Sequence, residues 1–136
     1  MSTIFSKIVS GEIPAYIVAE TNDYLAFMDV FPIAPGHVLV IHKKETDYIF
    51  DVEDEAYIGL WLFAKIIAQA IKNVYPCKRV GVSVVGLEVA HAHIHLIPIN
   101  EVSDMDFTKE KLKFTSEEFQ AAAEKLKVAI RELTAK

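Results

Sequence analysis

Three of the five histidines of this chain lie at alternate positions in residues 91–98, whose sequence is HAHIHLIP. Because successive side chains of a β-strand point to opposite faces, a strand here places His91, His93 and His95 on one face and the intervening apolar residues on the other. The apolar face can pack in the core while the imidazoles line a site. Imidazole changes protonation near neutral pH, so these rings can serve as nucleophiles, proton donors or metal ligands. The pattern predicts a functional site on one face of a strand.

The spacing of the triad constrains a metal site. Neighbouring histidines of a strand at this spacing have Cα atoms about 6.6 Å apart, and the outer pair about 13 Å apart. A zinc ion lies about 2.1 Å from each imidazole nitrogen, so one ion can take two of these rings but hardly all three. A third ligand would come from elsewhere, for example His37 or Glu88, and one triad histidine would be left without a role. A site with one nucleophilic ring, flanked by rings that orient it and donate protons, uses all three.

Length and composition predict one domain. The chain has 136 residues, of which 52% are hydrophobic, enough for a single core spanning residues 1–136. Its one cysteine, Cys77, excludes an internal disulfide framework and a Cys-x-x-Cys zinc site. A net charge of -5 argues against binding to a nucleic acid polymer, which needs a basic face. With no signal-peptide core and no long uncharged apolar run, we expect a cytoplasmic protein that does not bind a membrane.

The order of elements predicts the α+β class. Apolar periodicity indicates a helical turn at residues 4–9 and a long helix at residues 56–74 with Asp54 as its cap. Thr115 or Ser116 caps a C-terminal helix at about residues 115–134. Turn residues separate five branched or alternating runs that we interpret as strands, at residues 16–20, 24–29, 37–42, 79–85 and 89–98. The prediction is an antiparallel sheet of about five strands with two main helices.

The long helix carries more apolar residues than one buried face needs. One stripe, which includes Leu60 and Ile67, satisfies a surface helix. Further apolar residues lie largely outside that stripe: Ile58, Trp61 and Leu62. The excess predicts burial on a second side, and we favour a homodimer over simple cover by the C-terminal segment.

The triad and several upstream segments resemble the histidine triad (HIT) superfamily, in its order and with its spacing. The family signature is His-φ-His-φ-His-φ-φ, where φ is apolar, and residues 91–97 fit it. The upstream matches are IFSKI at residues 4–8, GEIP at residues 11–14, AFMD at residues 26–29 and APGHVLVI at residues 34–41. The chain is similar to bacterial Hint-type members over a motif-bearing core of about residues 4–100.

The resemblance implies a HIT-like fold, a homodimer, and a nucleotide hydrolase or nucleotidyl transferase that acts on nucleoside phosphoramidates or related nucleotide conjugates. In such enzymes the middle histidine attacks the α-phosphorus and forms a covalent nucleotidyl-histidine, which water resolves; carried over, this residue is His93. His91 and His37 would hold that ring and pass protons. His95 would face the phosphate oxygens or the leaving group. We expect the other ring nitrogen of His93 to donate to a backbone carbonyl, and no cofactor or metal is required.

The same similarity suggests how a purine nucleotide or nucleotide conjugate binds. Asp29 would accept hydrogen bonds from both ribose hydroxyls, which suits a carboxylate with two oxygens. The base would be enclosed by four apolar residues, Phe5, Ile8, Phe27 and Val30.

The phosphate contacts depart from those of the family. Many relatives have Asn on the strand before the triad and Gly-Gln just ahead of it, whereas this chain has Val80 and Leu87 at the corresponding positions. Contact with the phosphate then falls to backbone amides from Gly86 to Val89, or to Ser83, or it is weaker. Glu88 stands where relatives often have a small hydroxyl residue, so it lies where the leaving group would bind.

Two other functions stay open. A metal-dependent hydrolase could use two triad histidines together with His37, and it would lose activity on chelation. A nucleotide-binding protein with little turnover would follow from the missing side-chain amides. It would bind adenosine monophosphate tightly and hydrolyse phosphoramidates negligibly.

Overall fold

The computed structural model describes residues 2–135. Five strands and three α-helices make up the fold. In chain order they are α1 (Ile4–Ser10), β1 (Ile17–Glu20), β2 (Tyr24–Met28), β3 (Val38–His42), α2 (Asp54–Val74), β4 (Arg79–Ser83), β5 (His93–Ile99) and α3 (Ser116–Thr134), with short 3-10 turns at Ile49–Asp51 and Val102–Met105.

The five strands form one antiparallel sheet in the order β1-β2-β3-β5-β4. The strands β1, β2 and β3 form a meander, since each pairs with the next along the chain. The strand β5 lies between β3 and β4, so both of its edges are paired. This confirms the α+β class and the predicted antiparallel sheet of about five strands with two main helices, to which α1 adds a shorter helix of 7 residues.

The alternation of β5 decides which side chains join the core. Ile94 and Leu96 point into the larger cluster, where α2 and α3 cover the sheet with Leu60, Ile67 and Leu126. The other face carries a smaller apolar cluster that includes the first turn of α1. Its buried members are Phe5, Leu25, Phe27, Leu39 and Ile41. The histidines of β5 therefore lie on the face of this smaller cluster, away from the two long helices.

The predicted caps are right for one long helix and wrong for the other. Thr115 is the N-cap of α3: its side chain accepts from the Glu118 amide at 3.1 Å, and the Glu118 carboxylate accepts from the Thr115 amide at 2.8 Å. These two bonds form a capping box. The helix α2 begins at Asp54 and has Glu53 as its N-cap, so the prediction that Asp54 caps it is wrong. Asp54 lies instead in the first turn, where a negative charge interacts favourably with the helix dipole.

The strand β5 begins later than the sequence predicts. The alternating pattern indicates a strand from residue 89, whereas β5 begins at His93. Ahead of it, the amide of His91 donates to the Val89 carbonyl at 2.8 Å, and the amide of Ala92 donates to the Thr46 carbonyl at 2.7 Å. These bonds replace the strand ladder, so His91 stands just before the strand.

Two of the three surplus apolar residues of α2 are exposed in the single chain, whereas Trp61 is half-buried against the larger cluster. Ile58 and Leu62 are each 60% exposed, one helical turn apart on the same face. The helix α3 packs against α2 without covering them. Within residues 2–135, none of the helices combines the length and the apolar character needed to cross a membrane.

Candidate active site

The strand β5 presents two triad histidines in the middle of the sheet. His93 and His95 pair with residues of β3, and His95 also lies opposite Ser83 of β4. The exposed fractions of His91, His93 and His95 are 1%, 5% and 9%, so all three rings are nearly buried. The apolar residues between them belong to the larger core. The predicted alternation of faces is therefore present, although His91 reaches the site from outside the strand.

The hydrogen bond of His93 assigns its tautomer. Its Nδ1 lies 2.9 Å from the carbonyl oxygen of His91. A carbonyl oxygen only accepts, so in the neutral ring Nδ1 carries the proton and Nε2 keeps a lone pair. The ring packs between Phe5 and His95, with centroid distances of 4.9 and 4.8 Å. His93 thus has the expected bond to a backbone carbonyl and a free nucleophilic nitrogen.

His37 joins the group from the residue before β3. Its Nδ1 accepts from the amide of Ile33 at 3.2 Å, which places the proton of the neutral ring on Nε2. That nitrogen lies 3.0 Å from Nδ1 of His95. His95 accepts there, so its own proton is on Nε2, where it can serve as a donor. We expected His37 to hold His93, but its hydrogen bond goes to His95, and its support reaches His93 through that ring.

Asp29 is part of the same network. It directly follows β2, and its Oδ2 lies 3.3 Å from Nε2 of His37, with the side chain 15% exposed. Its Oδ1 accepts from the amide of Phe31 at 2.8 Å. Each carboxylate oxygen has a second lone pair, so both can still accept a hydroxyl. Asp29 therefore has a structural contact with His37 in addition to the ribose contact expected of it.

Burial keeps His37, His91 and His95 neutral. Loss of hydration lowers the pKa of His37 to about 3, and the positive charge of Lys111 adds to this effect. Burial likewise lowers the pKa of His95 to about 3, with His93 as the next cause, and it also lowers the pKa of His91. At neutral pH these three rings are neutral donors and acceptors.

The residues expected to enclose the base are largely brought together. Phe5 and Phe27 are buried in the smaller cluster with 5.4 Å between ring centroids, and Ile8 packs against that cluster. Phe5 also touches His93, so this apolar surface adjoins the His93 ring. Val30 follows Asp29 at the surface and is 46% exposed.

Of the residues expected near the phosphate, Ser83 lies beside the triad. Ser83 is directly across the sheet from His95, so both side chains point to the same face. After β4 the chain turns through Gly86, which has a φ of 73°, a value that favours glycine. Glu88 is exposed, and Val89 packs against the smaller cluster. Residues 84–90 thus form a loop at the edge of the site.

One contact comes from a segment to which the sequence analysis gives no role. Phe107 lies in the polar stretch before α3, and its ring packs against His95 and His37 with centroid distances of 4.7 and 6.4 Å. The Nζ of Lys111 donates to the Phe107 carbonyl. The amide of Leu112 donates to the Pro32 carbonyl at 2.8 Å, which ties this segment to the loop before His37. An aromatic residue within a polar stretch is the one sequence signal that could have indicated Phe107.

Asp29, His37 and His95 form a group whose ligand atoms lie within 4.8 Å of one another, close enough to hold a metal ion. The hydrogen bond from the Ile33 amide weighs against His37 as a ligand. A ligating Nε2 must be unprotonated, so the proton would move to Nδ1, where it would face the Ile33 N–H. The donors present suit a chain of hydrogen bonds better than a metal centre.

Comparisons with known proteins agree on one family. A family model described as HIT domain matches residues 10–102. The chain is 33% identical over 134 residues to adenosine 5'-monophosphoramidase hnt1 of Schizosaccharomyces pombe, covering 96% of this chain and 100% of that protein. A HIT-like protein involved in cell-cycle regulation from Bartonella henselae matches with a TM-score of 0.83 and 31% identity, covering 94% of this chain and 96% of that one. A Zn-bound histidine triad family protein from Mycobacterium smegmatis matches with a TM-score of 0.84 and 25% identity, covering 99% and 97%.

A five-stranded antiparallel sheet that buries a histidine triad on the face away from its long helices defines a HIT-like fold. The family match covers more than half of the chain, so this protein belongs to the HIT domain family. The resemblance stated from residues 4–41 and 91–97 is confirmed.

Proposed function

We propose that this protein hydrolyses nucleoside phosphoramidates or related nucleotide conjugates at the α-phosphate, with His93 as the nucleophile. The observation that carries the proposal is the bond between His93 Nδ1 and the His91 carbonyl at 2.9 Å, because it leaves the lone pair on Nε2. Similarity to a protein named adenosine 5'-monophosphoramidase supports the substrate class.

The reaction proceeds in two displacements. In the first, Nε2 of His93 bonds to the α-phosphorus and the phosphorus–nitrogen bond breaks. The amine departs with the bonding electron pair and with a proton taken from solvent, which the water of the second step replaces. In the second, water displaces His93 from phosphorus. Over both steps one water is consumed: its hydroxyl ends on phosphorus and its remaining proton on the amine. Throughout, Nδ1–H of His93 stays bound to the His91 carbonyl, which stabilises the positive charge of the nucleotidylated ring.

The neighbouring rings stabilise the phosphate. His95 has its proton on Nε2, so it can donate to a phosphate oxygen as negative charge develops. His37 holds His95 in that tautomer through the chain that starts at the Ile33 amide. Ser83 adds a hydroxyl beside His95, and the backbone amides that lead to Val89 take the place of the side-chain amides of relatives. Glu88 at the rim favours leaving groups without a negative charge.

The nucleoside lies across the smaller cluster. The purine packs against Phe5, Phe27 and Ile8, with Val30 at its outer edge, and Asp29 binds the ribose. Phe5 contacts both the base site and the His93 ring, at a centroid distance of 4.9 Å, so it sets the distance between base and nucleophile.

A second copy of the chain covers α2. Ile58 and Leu62 are each 60% exposed, and burying the exposed part of each side chain is favourable by about 1–2 kcal/mol. A Leu62→Glu variant should sediment as a monomer at micromolar concentration, whereas the wild type sediments as a dimer. Val128→Glu changes an exposed apolar residue of α3 in the same way and should leave the dimer intact. A monomeric wild type would contradict this assembly.

Intact-mass spectrometry tests the nucleophile. Wild-type protein incubated with adenosine 5'-phosphoramidate and quenched in milliseconds to seconds should gain the mass of one adenylyl group, and His93→Ala should not. His42→Ala serves as a matched control, since His42 is half-buried at the end of β3. Tight binding of adenosine monophosphate with neither adduct nor turnover would favour a nucleotide-binding protein instead.

A metal-dependent hydrolase is the second candidate, because Asp29, His37 and His95 cluster and a relative from Mycobacterium smegmatis is described as Zn-bound. Dialysis against a chelator followed by activity measurement separates the two functions. We expect full activity after chelation. Loss of activity that zinc restores would replace the nucleophilic mechanism by metal-assisted hydrolysis.

A further inference from the structure

Both ring nitrogens of His91 have hydrogen-bond partners to which the proposed reaction gives no role. Its Nε2 lies 2.8 Å from the carbonyl oxygen of His42, so this nitrogen carries the proton and Nδ1 keeps a lone pair. The Oγ1 of Thr3 lies 3.1 Å from that Nδ1. An unprotonated Nδ1 only accepts, so the hydroxyl of Thr3 is the donor.

Ser6 and Glu45 determine where the Thr3 proton points. The Oε1 of Glu45 accepts from the Ser6 hydroxyl at 2.6 Å and from the Thr3 amide at 3.0 Å. Because Ser6 gives its proton to the carboxylate, its oxygen is only an acceptor for Thr3, at 3.4 Å. The Nδ1 of His91 is the nearer acceptor, so the Thr3 hydroxyl donates to the ring.

His91 also holds the nucleophile, through its backbone. Its carbonyl accepts the Nδ1–H of His93 at 2.9 Å, while its own ring is fixed at both nitrogens. A rotation of that ring would release the peptide that orients His93. Two hydrogen bonds therefore connect the hydroxyl of Thr3 to the His93 ring: one to the ring of His91, and one from Nδ1–H of His93 to the His91 carbonyl.

We propose that Thr3, held by Ser6 and Glu45, is a positioning residue: its hydroxyl donates to Nδ1 of His91, holds that ring in place, and thereby fixes the His91 carbonyl that orients His93. The catalytic consequence rests on the proposed function, whereas the hydrogen bond between Thr3 and His91 does not. The arrangement places the start of α1 in the catalytic machinery, 88 residues away from His91 in sequence.

The simpler role for Thr3 is that of a helix cap, since its side chain also accepts from the Ser6 amide at 3.1 Å. Two variants and a control separate the roles. Thr3→Ser keeps the hydroxyl for both bonds, and Thr3→Val removes it. Thr115→Val removes the capping threonine of α3, whose side chain accepts from an amide in the same way but belongs to a capping box with Glu118 instead of to a bond with a histidine.

The first readout is the ¹⁵N spectrum of the histidine rings in the free protein. In the wild type and in Thr3→Ser, His91 should show a protonated Nε2 and an Nδ1 that accepts a hydrogen bond. In Thr3→Val the Nδ1 resonance should move to that of a nitrogen without a donor. An unchanged His91 spectrum in Thr3→Val would overturn the proposal, whatever the enzyme hydrolyses.

The second readout is turnover of adenosine 5'-phosphoramidate. Thr3→Val should lower kcat by roughly 10- to 100-fold with little change in KM, because the variant misplaces the nucleophile and not the nucleotide. Thr3→Ser should retain most of the wild-type kcat, and Thr115→Val should retain all of it. Equal losses in Thr3→Val and Thr115→Val would identify Thr3 as a cap alone. If the wild type showed no turnover, the proposed function would be wrong, but the spectra would still show whether Thr3 donates to Nδ1 of His91.

Discussion

The ring of Phe107 packs edge-to-face on His95, with 4.7 Å between centroids and 63° between planes, and so separates the His37–His95 pair from solvent on that side. Loss of hydration is the largest cause of the low pKa of His95. Phe107 therefore has an electrostatic effect although it carries no charge: it favours the neutral imidazole whose Nε2–H would donate to the phosphate in the proposed reaction.

Phe107→Ala should raise the pKa of both His95 and His37 from about 3 toward the ordinary value, because water then reaches the rings. Activity should fall more steeply on acidification than in the wild type, since a protonated His95 no longer accepts from His37. NMR titration of the histidine Cε1–H signals measures the shift. Phe31→Ala removes a 69% exposed phenylalanine near the site and should leave both titrations unchanged.

Asp29→Asn should reduce the preference for ribonucleotides over 2'-deoxyribonucleotides. A carboxylate accepts from both ribose hydroxyls, and hydrogen bonds to charged groups contribute about 1.5–3 kcal/mol, or roughly tenfold or more in kcat/KM. The variant also weakens the contact between Asp29 and His37, so turnover of both substrates should drop.

The ratio of kcat/KM for the ribo and deoxy phosphoramidates isolates the ribose contact from the loss of support for His37. The control is Asp47→Asn, at an exposed acidic residue. If Asp29→Asn lowered kcat/KM equally for the ribo and the deoxy substrate, so that their ratio stayed at the wild-type value, Asp29 would support His37 without binding ribose.

The low pKa values of His37 and His95 predict acid lability. Both groups bind protons more weakly in the folded chain, with a pKa of about 3, than in the unfolded chain, with 6.5. Stability is therefore complete above pH 6.5 and declines as the pH falls from 6.5 toward 3, with a slope of up to about 1.4 kcal/mol per pH unit for each group.

Urea unfolding measured from pH 4.5 to 7.5 checks this sign. His95→Asn removes one of the two titrating groups, so its stability should depend less steeply on pH over that range. A free energy of unfolding that stayed constant between pH 7 and pH 5 in the wild type would show that the two rings already titrate normally when folded.

The sequence predicts the site well where the pattern is local and poorly where the contact is distant. The alternation of residues 91–97 indicates both the strand and its two faces, because the period of a strand acts over neighbouring residues. The bond between His37 and His95 joins residues 58 positions apart, and sequence indicates the residues but not their pairing. Phe107 and Thr3 reach the histidines from irregular or terminal segments, where no periodicity predicts the direction of a side chain.

Gly36 illustrates a constraint that comes from both backbone and packing. Its φ of 86° lies in the left-handed region, and a Cβ built there would come within 2.8 Å of the Tyr75 ring. Gly36→Ala should therefore destabilise the fold by about 1–3 kcal/mol and displace the next residue, His37, from His95.

Gly11→Ala is the matched control, because Gly11 has the same φ of 86° but no atom within 4 Å of a built Cβ. Both variants carry the backbone cost, of about 1 kcal/mol. Only Gly36→Ala carries the clash with Tyr75, so thermal unfolding should show a larger loss for Gly36→Ala, together with a lower kcat. Equal stability losses in the two variants would mean that the Tyr75 ring moves aside freely. In that case His37 would not be displaced and would keep its contact with His95.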